Sequence, residues 1–203
     1  MIKPLNNYVH LELFEQPESN SRILLSEYSE TEMRWGKVLN TGPGLPNLNG
    51  DLEPSMLAKD DLVYVMAHGR ELIPLDDLGE ESCCIASELD IMCIMENIET
   101  KQIQPLGTWI QVEKIEPEES AILIVDSKKT PTSRGRVVKL GKGWTDYVGR
   151  PIQFQVKEGD IILFNPFSPA VVDLSALGHD ENLYLVLHTD LYAVDEPEEE
   201  TNV

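Results

Sequence analysis

Asp160-Ile161-Ile162-Leu163-Phe164 enters from Glu158-Gly159, and the same figure stands earlier as Asp61-Leu62-Val63-Tyr64-Val65, entered from Lys59-Asp60. An acidic residue at a turn, opening a short run of branched and aromatic side chains, reads as a buried strand. Working outward, Trp35-Gly36-Lys37-Val38-Leu39 returns as Arg134-Gly135-Arg136-Val137-Val138, and Glu88-Leu89-Asp90-Ile91 returns as His188-Thr189-Asp190-Leu191. Tyr8-Val9-His10-Leu11-Glu12 returns as Trp109-Ile110-Gln111-Val112-Glu113, and Ile2-Lys3-Pro4-Leu5 as Ile103-Gln104-Pro105-Leu106. The five matches keep their order at offsets between 99 and 101. Ordered self-similarity at a fixed period marks a duplicated structural unit. The expected organisation is one domain over residues 1–96, a linker over 97–101, a second domain over 102–195 and a solvated acidic tail over 196–203.

Each copy reads as mostly strands. Tyr8 to Leu13 and Trp109 to Glu113 alternate apolar and polar residues, the period of a half-buried strand. Leu62 to Met66 and Ile161 to Phe164 are short apolar runs. Turn signals separate them: Thr41-Gly42-Pro43-Gly44, Leu140-Gly141-Lys142-Gly143, Glu158-Gly159-Asp160, and Asn49-Gly50, which suits a two-residue hairpin turn. No stretch of ten or more residues keeps a helical apolar stripe. The expected fold is all-β, with one small β-barrel or sandwich per copy.

The order of these pieces resembles the GroES family of co-chaperonins. The second copy follows the family pattern closely: Ser133-Arg134-Gly135-Arg136-Val137-Val138 is similar to the strand after the loop, and Leu140-Gly141-Lys142-Gly143 to the turn. Val156 to Phe164 is similar to the next strand, and Asp190-Leu191-Tyr192-Ala193-Val194 to the closing one. The first copy is looser, with Asp60 in place of the glycine of Gly-Asp and Trp35 in place of an arginine. The resemblance covers nearly the whole chain apart from linker and tail, and it implies two tandem GroES-like small β-barrels. Each would carry a long flexible loop and a roof hairpin. Paired domains in one chain resemble the chloroplast double-domain form, with phage-encoded forms as a second possible relative.

Between the first two strands of each copy lies a long segment, polar at both ends, around one apolar triplet: Ile23-Leu24-Leu25 and Ile122-Leu123-Ile124. The triplets stand at equal distances before Gly36 and Gly135. Connections of this length are functional or disordered. On the residues alone, each triplet either docks on a partner or packs in a hairpin on its own barrel. The resemblance implies docking onto a GroEL-type chaperonin ring. The segments after the glycine turns, with Asp51 and Glu53 in one copy and Trp144 and Tyr147 in the other, would form the roof hairpins. The opening strands (Ile2 to Leu5, Ile103 to Leu106) and the closing strands (Ile91 to Met95, Leu191 to Val194) would join neighbours edge to edge in a head-to-tail ring.

Sixteen Lys and Arg oppose 36 Asp and Glu, a formal net charge of −20, shared by both halves. That field repels nucleic-acid phosphates and anionic lipid, so neither is an expected partner. The N-terminus lacks the apolar core of a secretory signal. Three cysteines (Cys83, Cys84, Cys93) make no disulfide framework and suit a reducing compartment: a bacterial cytoplasm, the cytoplasm of a phage-infected host, or an organelle stroma after removal of a transit peptide. They lack zinc-site spacing and read as buried thiols. His10, His68, His179 and His188 form no metal motif and read as surface or satisfied core histidines, and no phosphate-binding loop is present. Neither cofactor, metal site nor catalytic residue is expected. The function implied is a non-enzymatic co-chaperonin that caps a chaperonin ring while client proteins fold inside and the partner hydrolyses ATP. The rival is a structural or virion-associated protein using the same barrel without chaperonin binding.

Overall fold

The computed structural model describes residues 2–14, 33–66, 72–115, 133–166, 168, 171–177, 179 and 182–195. Among these the chain is all-β, interrupted only by single turns of 3-10 helix. The first copy contributes β1 (Tyr8–Leu13), β2 (Met33–Thr41), β3 (Leu45–Pro46), β4 (Leu52–Glu53), β5 (Leu62–Met66), β6 (Ile73–Pro74), β7 (Cys83–Ser87) and β8 (Ile91–Asn97). From the second copy come β9 (Gln102–Pro105), β10 (Trp109–Ile115), β11 (Ser133–Leu140), β12 (Trp144–Thr145) and β13 (Pro151–Ile152). They are followed by β14 (Ile161–Phe164), β15 (Val172–Asp173), β16 (Leu183–Leu187) and β17 (Leu191–Val194).

Duplication is visible in the strand order. One sheet runs β6-β7-β1-β2-β5-β8-β9 and the other β15-β16-β10-β11-β14-β17, all antiparallel neighbours. A bulge recurs at the matching step of the first strand, between His10 and Leu11 and between Gln111 and Val112. Each sheet curls around its own apolar core: Val9, Leu11, Val38, Val63, Val65 and Ile91 in one, and Ile110, Val112, Val137, Ile162, Phe164 and Val186 in the other. These are the inward positions of the alternating strands, so the period of two set the core. Two GroES-like β-barrels in tandem are the result.

One strand crosses the sequence boundary. By contacts the chain divides into Met1–Leu106 with Thr145–Pro151, and Gly107–Trp144 with Ile152–Val203. β9, the opening strand of the second copy, therefore lies in the first unit, where it pairs with the closing strand β8: Cys93 opposite Pro105, Ile94 opposite Gln104 and Met95 opposite Ile103. Leu106, 1% exposed, is part of the first core. Residues 2–5, its counterpart, form no strand, and Leu5 is 67% exposed although Pro4 is buried.

Three local expectations are refined. Asp60, where a glycine was expected, takes the left-handed backbone at φ 73°, as Gly159 does at φ 92°, and its carboxylate meets Lys37 Nζ at 2.7 Å. Asp tolerates this region better than most residues. Asn49-Gly50 is not a two-residue turn. Gly50 N–H donates to Asn47 O, Asn47 N–H to Asp51 O, and only Gly50 has positive φ, so three residues close the hairpin as a type I turn with a glycine bulge. Cys84 and Cys93 are buried, whereas Cys83 is partly exposed, contrary to a reading of all three as buried.

Gly135 shows how tightly the second core closes. A Cβ there would overlap Val112 Cγ1 and stand 3.0 Å from Phe164 Cε1. Gly135→Val is expected to lower unfolding stability by about 1–3 kcal/mol through overpacking. Urea denaturation measures it, and an unchanged midpoint would contradict this packing.

Candidate functional site

The two loops with the apolar triplets fall on residues 15–32 and 116–132, and Ile23, Leu24, Leu25, Ile122, Leu123 and Ile124 lie outside the described residues. Their roots are described. β1 and β2 pair with Leu13 opposite Gly36, and β10 and β11 pair with Ile115 opposite Arg134. Phe14 N–H donates to Trp35 O at 2.9 Å, holding the first root closed. Each loop thus leaves and re-enters through adjacent hydrogen-bonded strands at the same place in its barrel. At that root the copies differ. Trp35 lies with its ring 5.0 Å from Tyr64, whereas Arg134 meets Asp195 at 2.5 Å.

The roof hairpins are built alike. Asn47 Oδ1 accepts from the N–H groups of Asn49 and Asp51. In the other, Asp146 Oδ1 accepts from Val148 and Arg150 N–H, and its Oδ2 accepts from Arg150 Nε at 2.8 Å. Those bonds, led by the Arg150 N–H, hold the Asp146 carboxyl below the usual carboxylate range. Of the expected roof residues, Asp51 and Tyr147 are exposed, Glu53 is half-buried, and Trp144 is half-buried. The first hairpin also exposes Leu45, Leu48 and Leu52.

Trp144 packs 5.4 Å from Phe154 and 5.6 Å from His188 between ring centres. His188 Nε2 accepts from Gln155 N–H at 3.3 Å. In the first copy the matching residue, Glu88, is buried and accepts from Met56 N–H at 2.6 Å through Oε1. Both thus hold the strand-entry loop from the first residue of a 3-10 turn. The sequence match of Glu88 to His188 carried this signal, and what a carboxylate and an imidazole share at this position is accepting a hydrogen bond.

Burial lowers the pKa of His188 from the ordinary imidazole value. The unfolded chain therefore takes up this proton first. The stabilising arrangement is fully present above about pH 6.5 and is lost as pH falls through the depressed folded value. Trp144 emission is expected to change over that acid range, and His188→Gln to remove the change. The same titration in both proteins would contradict the assignment.

Edge strands complete the candidate surfaces. In the first unit β9 covers β8, and Met92 is fully buried. At the matching edge of the second sheet, among the described residues, β17 pairs with β14 alone, and Tyr192, at 53%, Ala193 and Val194 are exposed. Cys84 and Cys93 offer no reactive thiol there: burial pushes Cys84 up to about 12 and raises Cys93 further.

The sequence matches the Cpn10 family, the chaperonin 10 Kd subunit, over residues 1–95 and again over 102–194. The chain belongs to the chaperonin 10 family. Among relatives of this chaperonin 10 protein, the chloroplastic 20 kDa chaperonin of Spinacia oleracea is 28% identical over 198 residues, 95% of this chain and 74% of that protein. The protein of the same name from Arabidopsis thaliana is 24% identical over 82% of this chain and 66% of its own length. The co-chaperonin GroES of Halalkalibacterium halodurans is 33% identical over 96 residues, 45% of this chain and 97% of its own. Single-domain relatives thus match about half of this chaperonin 10 chain, and double-length ones match nearly all of it. Among its described residues no helix is long and apolar enough to cross a membrane.

Proposed function

We propose that this protein is a co-chaperonin that binds a GroEL-type chaperonin ring through the triplets of its two loops and closes the folding cage over a client. It acts by binding and carries out no chemistry of its own; the partner supplies ATP hydrolysis. The observation that supports this most strongly is the barrel match occurring twice, each copy holding its loop on the same strand pair. The names of the relatives, chaperonin and co-chaperonin, point the same way. Their compartments fit either an organelle stroma, as for the chloroplast relatives, or a bacterial cytoplasm.

Self-association belongs to this reading. Inside one chain, residues 102–106 follow β8 and bury Leu106, while residues 2–5 and β17 are left without that arrangement. Residues 2–5 of one chain then add to β17 of the next, repeating between chains the pairing made within one. Such a contact is head-to-tail, the type that makes a ring when its rotation closes.

The reading is tested with a client that does not refold unaided. With chaperonin and ATP, adding this protein is expected to raise the refolded yield. A yield equal to that without it would overturn the proposal.

A further inference from the structure

β1 and β7 pair with Glu12 opposite Cys83 and His10 opposite Ile85, which makes His10 and Cys83 diagonal neighbours on one face. Glu80 joins them from the turn before β7, held there by Cys83 N–H to Glu80 O and by Leu13 N–H to Ser82 O. One ligand atom each from His10, Glu80 and Cys83 lies within 4.8 Å of the others. His10 is 5% exposed, and its Nε2 is 2.9 Å from Glu80 Oε2. That approach lacks hydrogen-bond alignment, so Nε2 is a buried polar atom without a hydrogen bond, aimed into the cluster. Most buried polar atoms are paired, and an exception calls for a cause.

We propose that His10, Glu80 and Cys83 bind a divalent transition-metal ion of the Zn2+ type, with water in a fourth position. The set of imidazole, carboxylate and thiol suits Zn2+ and does not suit Mg2+ or Ca2+, which prefer oxygen alone. Charge favours it too. The carboxylates of Glu80, Glu12 and Asp76 surround Cys83 with negative charge, a field that a bound cation would offset. On binding, the thiol proton leaves to solvent. The sequence did not reveal the site because His10 precedes Glu80 by 70 residues and meets it and Cys83 only through the β1–β7 register. The second copy carries Gln111 and Leu183 at the positions of His10 and Cys83, so the stoichiometry is one ion per chain. The ion would tie β7 and its preceding turn to β1, the strand that leads into the first loop.

Cobalt(II) is the probe, added to the full chain, metal-free and reduced. A thiolate-to-cobalt band in the near ultraviolet is expected to saturate at one equivalent and to be displaced by Zn2+. Cys83→Ser should abolish the band, and Glu80→Gln should weaken binding by more than the ~10–100-fold that losing a ligand's outer support costs. Cys84→Ser should leave the band intact. His10→Gln should match Glu80→Gln, and Glu80, at the surface, decides if the His10 variant does not fold. A folded wild-type chain without the band overturns the proposal. So does a band that survives Cys83→Ser, which would mark another thiol, or binding without a band, which would mark scattered surface carboxylates.

Discussion

Leu5→Asp is expected to abolish self-association while leaving the melting temperature of the single chain nearly unchanged. Leu5 is largely exposed in one chain, and substitutions at such positions stay within about 0.5 kcal/mol. Leu106, at the same point of the repeat, is buried in a core beside β8. If Leu5 occupies the equivalent place beside β17 of a neighbour, its burial contributes roughly 1.5–3 kcal/mol per contact. An aspartate there adds the cost of an unpaired buried charge, at least several kcal/mol. A change of about 4 kcal/mol is nearly a thousandfold per contact. Leu106→Asp makes the contrast: it places the charge inside a folded core and should unfold the first unit. Sedimentation equilibrium separates the two outcomes. Equal assembly by wild type and Leu5→Asp would show that the edge is used otherwise.

Replacing Leu24 and Leu123 together by serine is expected to remove chaperonin binding. Three buried apolar side chains offer about 5–9 kcal/mol per loop. Ordering the loop costs roughly 1–2 kcal/mol per fixed residue, so half a dozen residues offset most of that gain. A single loop is therefore weak, and affinity comes from several loops on one ring acting at high effective concentration. Losing ~2 kcal/mol per loop is about thirtyfold for one and compounds across the ring. The single variants should differ. The first loop holds Glu15, Glu18, Glu27, Glu30 and Glu32 against Arg22, whereas the second carries Lys128 and Lys129. Charge of this kind acts mainly on association rate. Surface plasmon resonance on immobilised chaperonin reads it, and identical losses for Leu24→Ser and Leu123→Ser would contradict unequal loops.

The barrel was legible because its information is local. Alternation in Tyr8 to Leu13 and the run at Leu62 to Met66 state which side chains face inward, and those residues form the cores. Asp60 read as a departure from the family's glycine, and the structure shows it taking the same left-handed turn as Gly159. What the sequence withheld depends on partners distant along the chain. Residues 102–106 are as apolar as residues 2–5, yet only the former find a strand edge within the chain. The ring contacts of Trp144 with Phe154 and His188 join residues 10 and 44 positions further along the chain. His10, Glu80 and Cys83 meet only once the β1–β7 register is known.

The most direct test is gel filtration of this protein with a GroEL-type chaperonin, with and without nucleotide. Co-elution that requires nucleotide, together with a changed ATPase rate of the chaperonin, is the predicted result. Separate elution under both conditions, with the ATPase rate unmoved, would contradict the account.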